Sequence, residues 1–238
     1  MMAVILAGGK GTRLRPFTMT IPKPLLPLGD VPIVEVVIRQ LVACGIGRVV
    51  LTLGHMAPLF TAFFGDGGRF GARIDYCLED EPLGTAGPLR LVQDLEPTFL
   101  VMNGDILTTL RFEDMLEFHR RNDAWGTLAV SKRRVNVDYG VIVADEADRM
   151  VEYVEKPTIP YEVSMGINVL SRGCLDYIPA TGKFDMPQLM IAMQGAGRPV
   201  CCYRTDCYWQ DIGRFDDYQQ ASADFVASPE RFLGQASR

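Results

Sequence analysis

The sequence predicts an α/β protein, a three-layer mixed sheet with a small antiparallel β extension, on three observations. Short β-rich apolar runs alternate with longer amphipathic stretches as far as Arg121, the pattern of strands covered by helices. From Gly126 to Val169 strands follow one another without long helices between them, which implies antiparallel pairing. The 238 residues, 48% hydrophobic and 22% charged, suffice for a sizeable core that needs no disulfide or metal staple.

Val4-Ile5-Leu6 is an apolar first strand ending at Gly8-Gly9. Val34, Val37, Ile38, Leu41 and Val42 recur at helical spacing, so a helix is expected over 34–44, stopped by Gly45 and Gly47. Val49 to Leu53 reads as the second buried strand, Leu59 to Phe64 as a helix and Ile74 to Leu78 as a strand. Gly87 to Asp94 reads as a helix start, Phe99 to Met102 as a central strand and Phe112 to Arg121 as an amphipathic helix. The strand-rich stretch divides into Thr127–Ser131, Tyr139–Val143, Met150–Val154 and Ser164–Leu170, extending the sheet or forming a small lobe beside it. Helices near Cys174–Ile178, Asp185–Gln194 and Phe215–Val226 complete the pattern. No hexapeptide β-helix repeat follows, so trimerisation through such a domain is not expected; a monomer or homodimer is.

The net charge of −5 argues against a nucleic-acid or anionic-membrane binder, which needs a broad basic surface. Any bound anion must be captured locally. Met1 to Gly29 contains no Asp or Glu yet holds Lys10, Arg13, Arg15 and Lys23. The six cysteines show no paired framework, and neither His55 nor His119 lies near Cys201, Cys202 and Cys207 in sequence; buried thiols in a reducing cytosol are the expectation. There is no secretory leader and no apolar run of the ~18 residues a membrane span needs, so a cytoplasmic location is expected.

The most informative segment is Leu6-Ala7-Gly8-Gly9-Lys10-Gly11-Thr12-Arg13-Leu14-Arg15-Pro16. A buried strand runs into three glycines that let backbone N–H groups approach an anion. Arg13 offers a fork of donors suited to phosphate oxygens, and Lys10 a mobile charge. A dinucleotide fingerprint would need glycine where Leu14 stands, and a Walker A loop would need Gly-Lys-Ser/Thr after a four-residue gap; both fail. Pro22, Pro24 and Pro27 stiffen the chain around Lys23 and cut the entropy lost in holding it toward a ligand.

Gly8-Gly9-Lys10-Gly11-Thr12-Arg13-Leu14-Arg15-Pro16 with Pro22-Lys23-Pro24 resembles the signature of the sugar-1-phosphate nucleotidyltransferases, or NDP-sugar pyrophosphorylases. The likeness runs over nearly the whole chain. Glu81-Pro82-Leu83-Gly84-Thr85-Ala86-Gly87-Pro88 resembles the base-binding loop of mannose-1-phosphate guanylyltransferases, and Asn103-Gly104-Asp105 the family's metal-binding strand end. Tyr139-Gly140-Val141, Val154-Glu155-Lys156-Pro157 and Trp209-Gln210-Asp211-Ile212-Gly213 resemble its sugar, sugar-phosphate and second metal motifs. Six motifs in order are specific where each alone is not.

This resemblance implies a Rossmann-like nucleotide-diphospho-sugar transferase fold. It implies one catalytic domain over 1–238, with a nucleotide-binding half (1–125) and a sugar-phosphate-binding half (126–238). The implied reaction joins a nucleoside triphosphate to a hexose or heptose 1-phosphate and releases pyrophosphate; GTP is favoured, with UTP, dTTP, CTP or ATP as alternatives. By resemblance, Leu6, Ala7, Gly8, Gly9, Gly11, Thr12, Arg13, Lys23, Glu81, Gly84, Thr85 and Asp105 bind the nucleotide. Asn103, Gly140, Glu155, Lys156, Gly166 and Asp211 bind the sugar phosphate, and Asp105 and Asp211 hold Mg²⁺. Arg13, Lys23, Asp105, Lys156 and Asp211 carry the catalysis. Read without the resemblance, Asp105 could close an Asn-Gly-Asp turn and Asp211 could cap the last helix.

Two polyanions must be brought together, so catalysis should rest on positioning and charge neutralisation rather than on a general base. Glu155 and Lys156 would point to opposite faces of an ideal strand, so a bend before Pro157 is expected. Where guanylyltransferases often read Asn-Ala-Gly, Ser164-Met165-Gly166 shortens the polar arm toward the sugar. A reading of another class, a non-catalytic protein that only binds an NDP-sugar, would be expected to lose the loop or a carboxylate; all are retained.

Overall fold

Alternation along the first strand decides the architecture. In β1 (Met2–Leu6), Ala3 and Ile5 face one apolar cluster while Met2 and Val4 face another, so this strand is buried on both sides. The computed structural model describes residues 1–54 and 56–233; His55 lies outside the described residues.

The short β2 (Pro27–Leu28) and β3 (Val31–Pro32) pair with each other and lead into α1 (Ile33–Ala43). β4 (Arg48–Leu53), α2 (Ala57–Phe64), β5 (Arg73–Leu78), β6 (Thr98–Asn103), β7 (Ile106–Thr108) and α3 (Phe112–Arg121) complete the first half. The second half contains β8 (Gly126–Asn136), β9 (Val141–Ala144), β10 (Met150–Val154), β11 (Thr158–Ser171), α4 (Met186–Gly195), β12 (Val200–Arg204), β13 (Trp209–Asp211), α5 (Phe215–Ala227) and α6 (Glu230–Leu233).

The central sheet has seven strands in the order β12-β8-β11-β6-β1-β4-β5. β1, β4, β5 and β6 are parallel, and β11 enters antiparallel between β6 and β8. Both halves of the chain therefore share one sheet. Apolar residues of α1, α2 and α3 cover one face. Those of α4 and the turn at Gly87–Leu91 cover the other. Leu14, Leu26, Ile212, Ala221 and Phe225 form a third cluster that closes the end of the sheet beneath the loops. Among the described residues no helix is long and apolar enough to cross a membrane.

Several expectations need correction. Gly87 to Asp94 is a five-residue 3-10 turn, because the chain is extended again at Val92 and Asp94 takes a positive φ of 50°. Cys174–Ile178 is likewise a 3-10 segment, Arg172–Tyr177. The strand expected from Tyr139 begins at Val141, whereas β8 and β11 each run well beyond the expected ends and project from the sheet as two paired arms. β9 and β10 form a separate ribbon between those arms, which meet where the Val137 N–H donates to the Pro157 carbonyl at 3.0 Å.

Candidate active site

A cavity of about 380 Å³ opens at the carboxyl ends of β1, β4 and β6, where open α/β sheets place their ligand crevices. Leu6, Ala7, Gly8, Gly9, Gly11, Thr12, Arg13, Lys23, Gly84, Thr85, Asn103 and Asp105, all expected at the site, line it. The loop after β1 is tied down at both ends. The Ala7 N–H donates to Thr52 O at 3.0 Å, and Thr18 Oγ1 donates to Gly11 O at 2.7 Å. Gly11 has a φ of 57°, and a Cβ there would press on Lys23 and Thr18, so glycine is required twice over. Buried Leu14 anchors the far side of the loop in the third apolar cluster.

Lys23 is buried to 8% exposure, and its Nζ is ion-paired with Asp105 Oδ2. Its place is set by a 3-10 turn over Lys23–Leu25 between Pro22 and Pro24. Asp105 follows β6, and its carbonyl accepts the Ile212 N–H at 3.1 Å. β7 and β13 pair antiparallel with Asp211 opposite Ile106, so two three-residue strands bring the distant carboxylates of Asp105 and Asp211 to one place. The Asp211 carboxyl is held above its usual range, first by lost hydration and then by the negative charge of Asp105; Lys23 and Arg13 pull the other way. Gly213 lies beside this group: a Cβ there would make ordinary contact, 3.6 Å from both Arg13 Nη1 and Asp211 Oδ2.

The loop expected to hold the base is clamped to α4. The Thr85 N–H donates to Asp185 Oδ1 at 3.0 Å, and the Met186 N–H donates to Thr85 Oγ1 at 2.7 Å. Gly84, at φ 87°, lies so close that a Cβ would strike Phe184 O and Asp185 Oδ1. Glu81 does not fill its expected place: it is exposed and does not line the cavity. Glu79 faces the cavity instead. It is half-buried, its Oε2 accepts the Leu83 N–H at 3.0 Å, and loss of hydration raises its carboxyl above the ordinary value despite that bond.

Lys183 and Asp185, ion-paired at 3.3 Å, also line the cavity, as does Thr52, whose buried Oγ1 has no hydrogen-bond partner among the described residues. The sequence reading missed these three. Their only signal was the Asp-Met-Pro helix start at Asp185, which reads as a cap and nothing more.

Residues expected on the sugar side divide into two groups. Gly166, at φ 70°, abuts Asn103 so closely that a Cβ would collide with the Asn103 amide. Gly166 and Asp211 do not line the cavity, lying behind Asn103 and beside Gly213; Gly140, Glu155 and Lys156 do not line it either and sit on the lobe formed by the arms and the ribbon. There, Tyr153 donates from its hydroxyl to Glu155 Oε2 at 3.0 Å, directly over Gly140. The bend expected before Pro157 is present, because β10 ends at Val154 and Lys156 takes a left-handed φ of 45°. No group of three metal-ligating side chains occurs among the described residues, and the cysteines form no disulfide.

Residues 2–228 match the family model for nucleotidyl transferases. The chain belongs to the nucleotidyl transferase family. This nucleotidyl transferase is 35% identical to the mannose-1-phosphate guanylyltransferase of Mycobacterium tuberculosis, over 94% of the chain and 64% of that protein. It is 33% identical to the UTP–glucose-1-phosphate uridylyltransferase of Synechocystis, over 93% of the chain and 62% of the relative. The chain thus spans a little under two thirds of either relative. The mannose-1-phosphate guanyltransferase beta-B of Xenopus laevis is 34% identical over 97% of the chain and 68% of its own length. Among solved structures, HddC of Yersinia pseudotuberculosis complexed with GMP-PN superposes with a TM-score of 0.68 at 26% identity, covering 94% of this chain and 99% of the other.

Proposed function

We propose that the chain acts as one catalytic domain that transfers a nucleotidyl group from a nucleoside triphosphate to a hexose or heptose 1-phosphate. The observation that carries this reading is the convergence of Arg13, Lys23, Asp105 and Asp211 where the glycine loop meets the cavity. Backbone N–H groups from Gly8 to Thr12 receive the triphosphate, and Arg13 supplies a donor fork to the two phosphates that depart. Lys23, rigidly held, offsets charge at the α-phosphate. An oxygen of the sugar phosphate attacks the α-phosphorus in line, and the bond to the bridging oxygen breaks, releasing pyrophosphate. That oxygen is already ionised near neutral pH, so no side chain need remove a proton.

Asp105 and Asp211 suit a magnesium ion. They are two hard oxygen donors that the β7–β13 ladder brings close together. When bound, magnesium supplies charge neutralisation between the triphosphate and the sugar phosphate. Asn103 and Gly166 orient the sugar from the cavity side. Glu155 accepts from sugar hydroxyls and Lys156 holds the sugar phosphate from the lobe.

Glu79 supports GTP as the donor. With Oε2 tied to the Leu83 N–H, the carboxylate offers acceptors only. The Watson–Crick edge of guanine presents two adjacent donors, N1–H and the 2-amino group, which match it. Adenine and cytosine pair a donor with an acceptor there, and uracil and thymine flank one donor with two carbonyls. Of the three curated relatives named above, two carry guanylyltransferase names and one is a uridylyltransferase.

A matrix of nucleotides against sugar 1-phosphates, read by pyrophosphate release with Mg²⁺, tests the proposal. GTP should be preferred, and ITP, which lacks the 2-amino group, should lose about tenfold or more, the scale of one hydrogen bond to a charged group. Equal use of ITP and GTP would remove Glu79 from base selection. Binding without pyrophosphate release from any pair would leave a non-catalytic receptor.

A further inference from the structure

Three basic side chains line the cavity, and the reaction proposed above occupies two of them. Lys23 pairs with Asp105, and Arg13 lies beside Gly213. Lys183 has no task in that reaction. It is carried instead by the stretch 182–185, which runs against 83–87. The Phe184 N–H donates to Leu83 O at 2.9 Å, and Phe184 O accepts the Ala86 and Gly87 N–H groups at 2.9 and 3.0 Å. The Leu83 N–H donates to Glu79 Oε2 at 3.0 Å. Leu83 is thus held by Glu79 at its amide and by the residue after Lys183 at its carbonyl. One short loop therefore brings an anionic and a cationic side chain to the same end of the cavity.

The ion pair of Lys183 does not exhaust it. An ammonium carries three donors, and Asp185 Oδ2, at 3.3 Å, takes one. The lysine side chain is 65% exposed, so two donors remain for a ligand. Asp185 does not depend on the lysine for its place. Its Oδ1 accepts the Thr85 N–H at 3.0 Å, and its own N–H donates to Gln188 Oε1 at 2.8 Å at the start of α4. A fixed carboxylate therefore keeps the ammonium beside the loop.

We infer that Lys183 is a specificity-determining residue that donates to the O6 and N7 edge of a guanine base bound against Glu79, an inference that rests on the GTP reading above and deepens it. Glu79 offers acceptors to N1–H and the 2-amino group. Next around the ring, O6 and N7 are two adjacent acceptors, which a carboxylate repels and an ammonium receives. Adenine places an amino donor at position 6, so the same ammonium disfavours it. A negative group on one edge and a positive group on the next fix the base in a single orientation. Neither charge alone does so.

Equilibrium titration of nucleotides with Mg²⁺ present tests the role of Lys183 without reference to turnover. The probes are GTP, 7-deaza-GTP, which lacks the N7 acceptor, and 6-thio-GTP, in which a weakly accepting sulfur replaces O6. Both analogues keep N1–H and the 2-amino group. The wild type should bind at least one of them about fivefold more weakly than GTP, the scale of one hydrogen bond at a partly exposed site. Lys183→Met keeps the apolar stem without the donors and should bind GTP and that analogue alike, whereas Lys183→Arg should keep the preference. The ratio of GTP to ITP affinity, which reports on Glu79, should be the same in all three proteins. A wild type that binds GTP and both analogues equally overturns the inference. So does a Lys183→Met protein that weakens every nucleotide by one factor, because the lysine would then only support the loop. A wild type that prefers a pyrimidine nucleotide refutes the GTP reading and this inference with it; a preference for GTP with analogue ratios unmoved by Lys183→Met refutes this inference alone. The expected ratios without pyrophosphate release would keep the role of Lys183 and refute the proposed reaction.

Discussion

Replacing one oxygen of Asp105 with an amide nitrogen isolates charge from shape at the centre of the site. Asp105→Asn keeps an acceptor for Lys23 and the carbonyl that receives the Ile212 N–H, so the fold should persist. Turnover should fall about 10²–10³-fold, the scale for one preorganised electrostatic group, with the melting temperature nearly unchanged. A steady-state assay beside a thermal melt checks this, and near-normal turnover would remove Asp105 from the reaction. Glu79 yields a pH prediction. Its carboxyl is raised in the fold, so the unfolded chain loses its proton first, near the ordinary value of 4.5, and the fold loses stability as pH rises through the raised value. Glu79→Gln keeps an acceptor for the Leu83 N–H and removes this cost. Denaturant titration should find the variant more stable than wild type at neutral pH, with the gap closing below pH 4.5. Greater stability only in acid would mean the sign is wrong. The position of Glu79 could not be read from the sequence, because β5 ends at Leu78 and its alternation does not carry into the loop; only the fold shows that Glu79 and not Glu81 lines the cavity.

At the scale of elements, buried runs were the most legible. β1, β4 and β6 announce themselves by apolar density, and α3 by periodicity that gives its ends at Phe112 and Arg121. The β7–β13 ladder was not legible, since three-residue strands have no period, yet it joins Asp105 to Asp211. Lys183 and Asp185 were hidden for a similar reason: they meet the loop at Gly84 and Thr85 across about a hundred residues of sequence, as the Thr85 to Asp185 hydrogen bond shows. That clamp can be broken locally. Gly84→Ala forces a left-handed alanine against Phe184 O, at a cost of about 1–3 kcal/mol at this loop. Isothermal titration should show weakened nucleotide affinity, with the sheet intact by circular dichroism; unchanged affinity would mean that the loop does not shape the nucleotide subsite. On the lobe, Lys156→Ala should raise the KM for the sugar phosphate well above any change for the nucleotide. An effect confined to the nucleotide would reverse the role of Lys156.

At the scale of the whole molecule, the two halves share one sheet, and the proposed reaction would divide the work between them. The side proposed for the nucleotide is a terrace of loops on parallel strands. The side proposed for the sugar phosphate is built partly on a projecting lobe whose Gly140, Glu155 and Lys156 stand apart from the cavity. The order of motifs along the chain foreshadowed the terrace but not this separation, because nothing in Ser131–Asn136 signalled that β8 continues beyond the core. In the proposed reaction, the charges gathered around Lys23, Arg13 and the two aspartates let two anions react. Rapid mixing of the protein with Mg²⁺, GTP and mannose 1-phosphate or a related hexose or heptose 1-phosphate, with pyrophosphate followed in a single turnover, tests it most directly. One pyrophosphate should form for each nucleotide-sugar, and neither product when Mg²⁺ is chelated. Tight binding of both substrates with no pyrophosphate from any pair, or turnover indifferent to chelation, would contradict it.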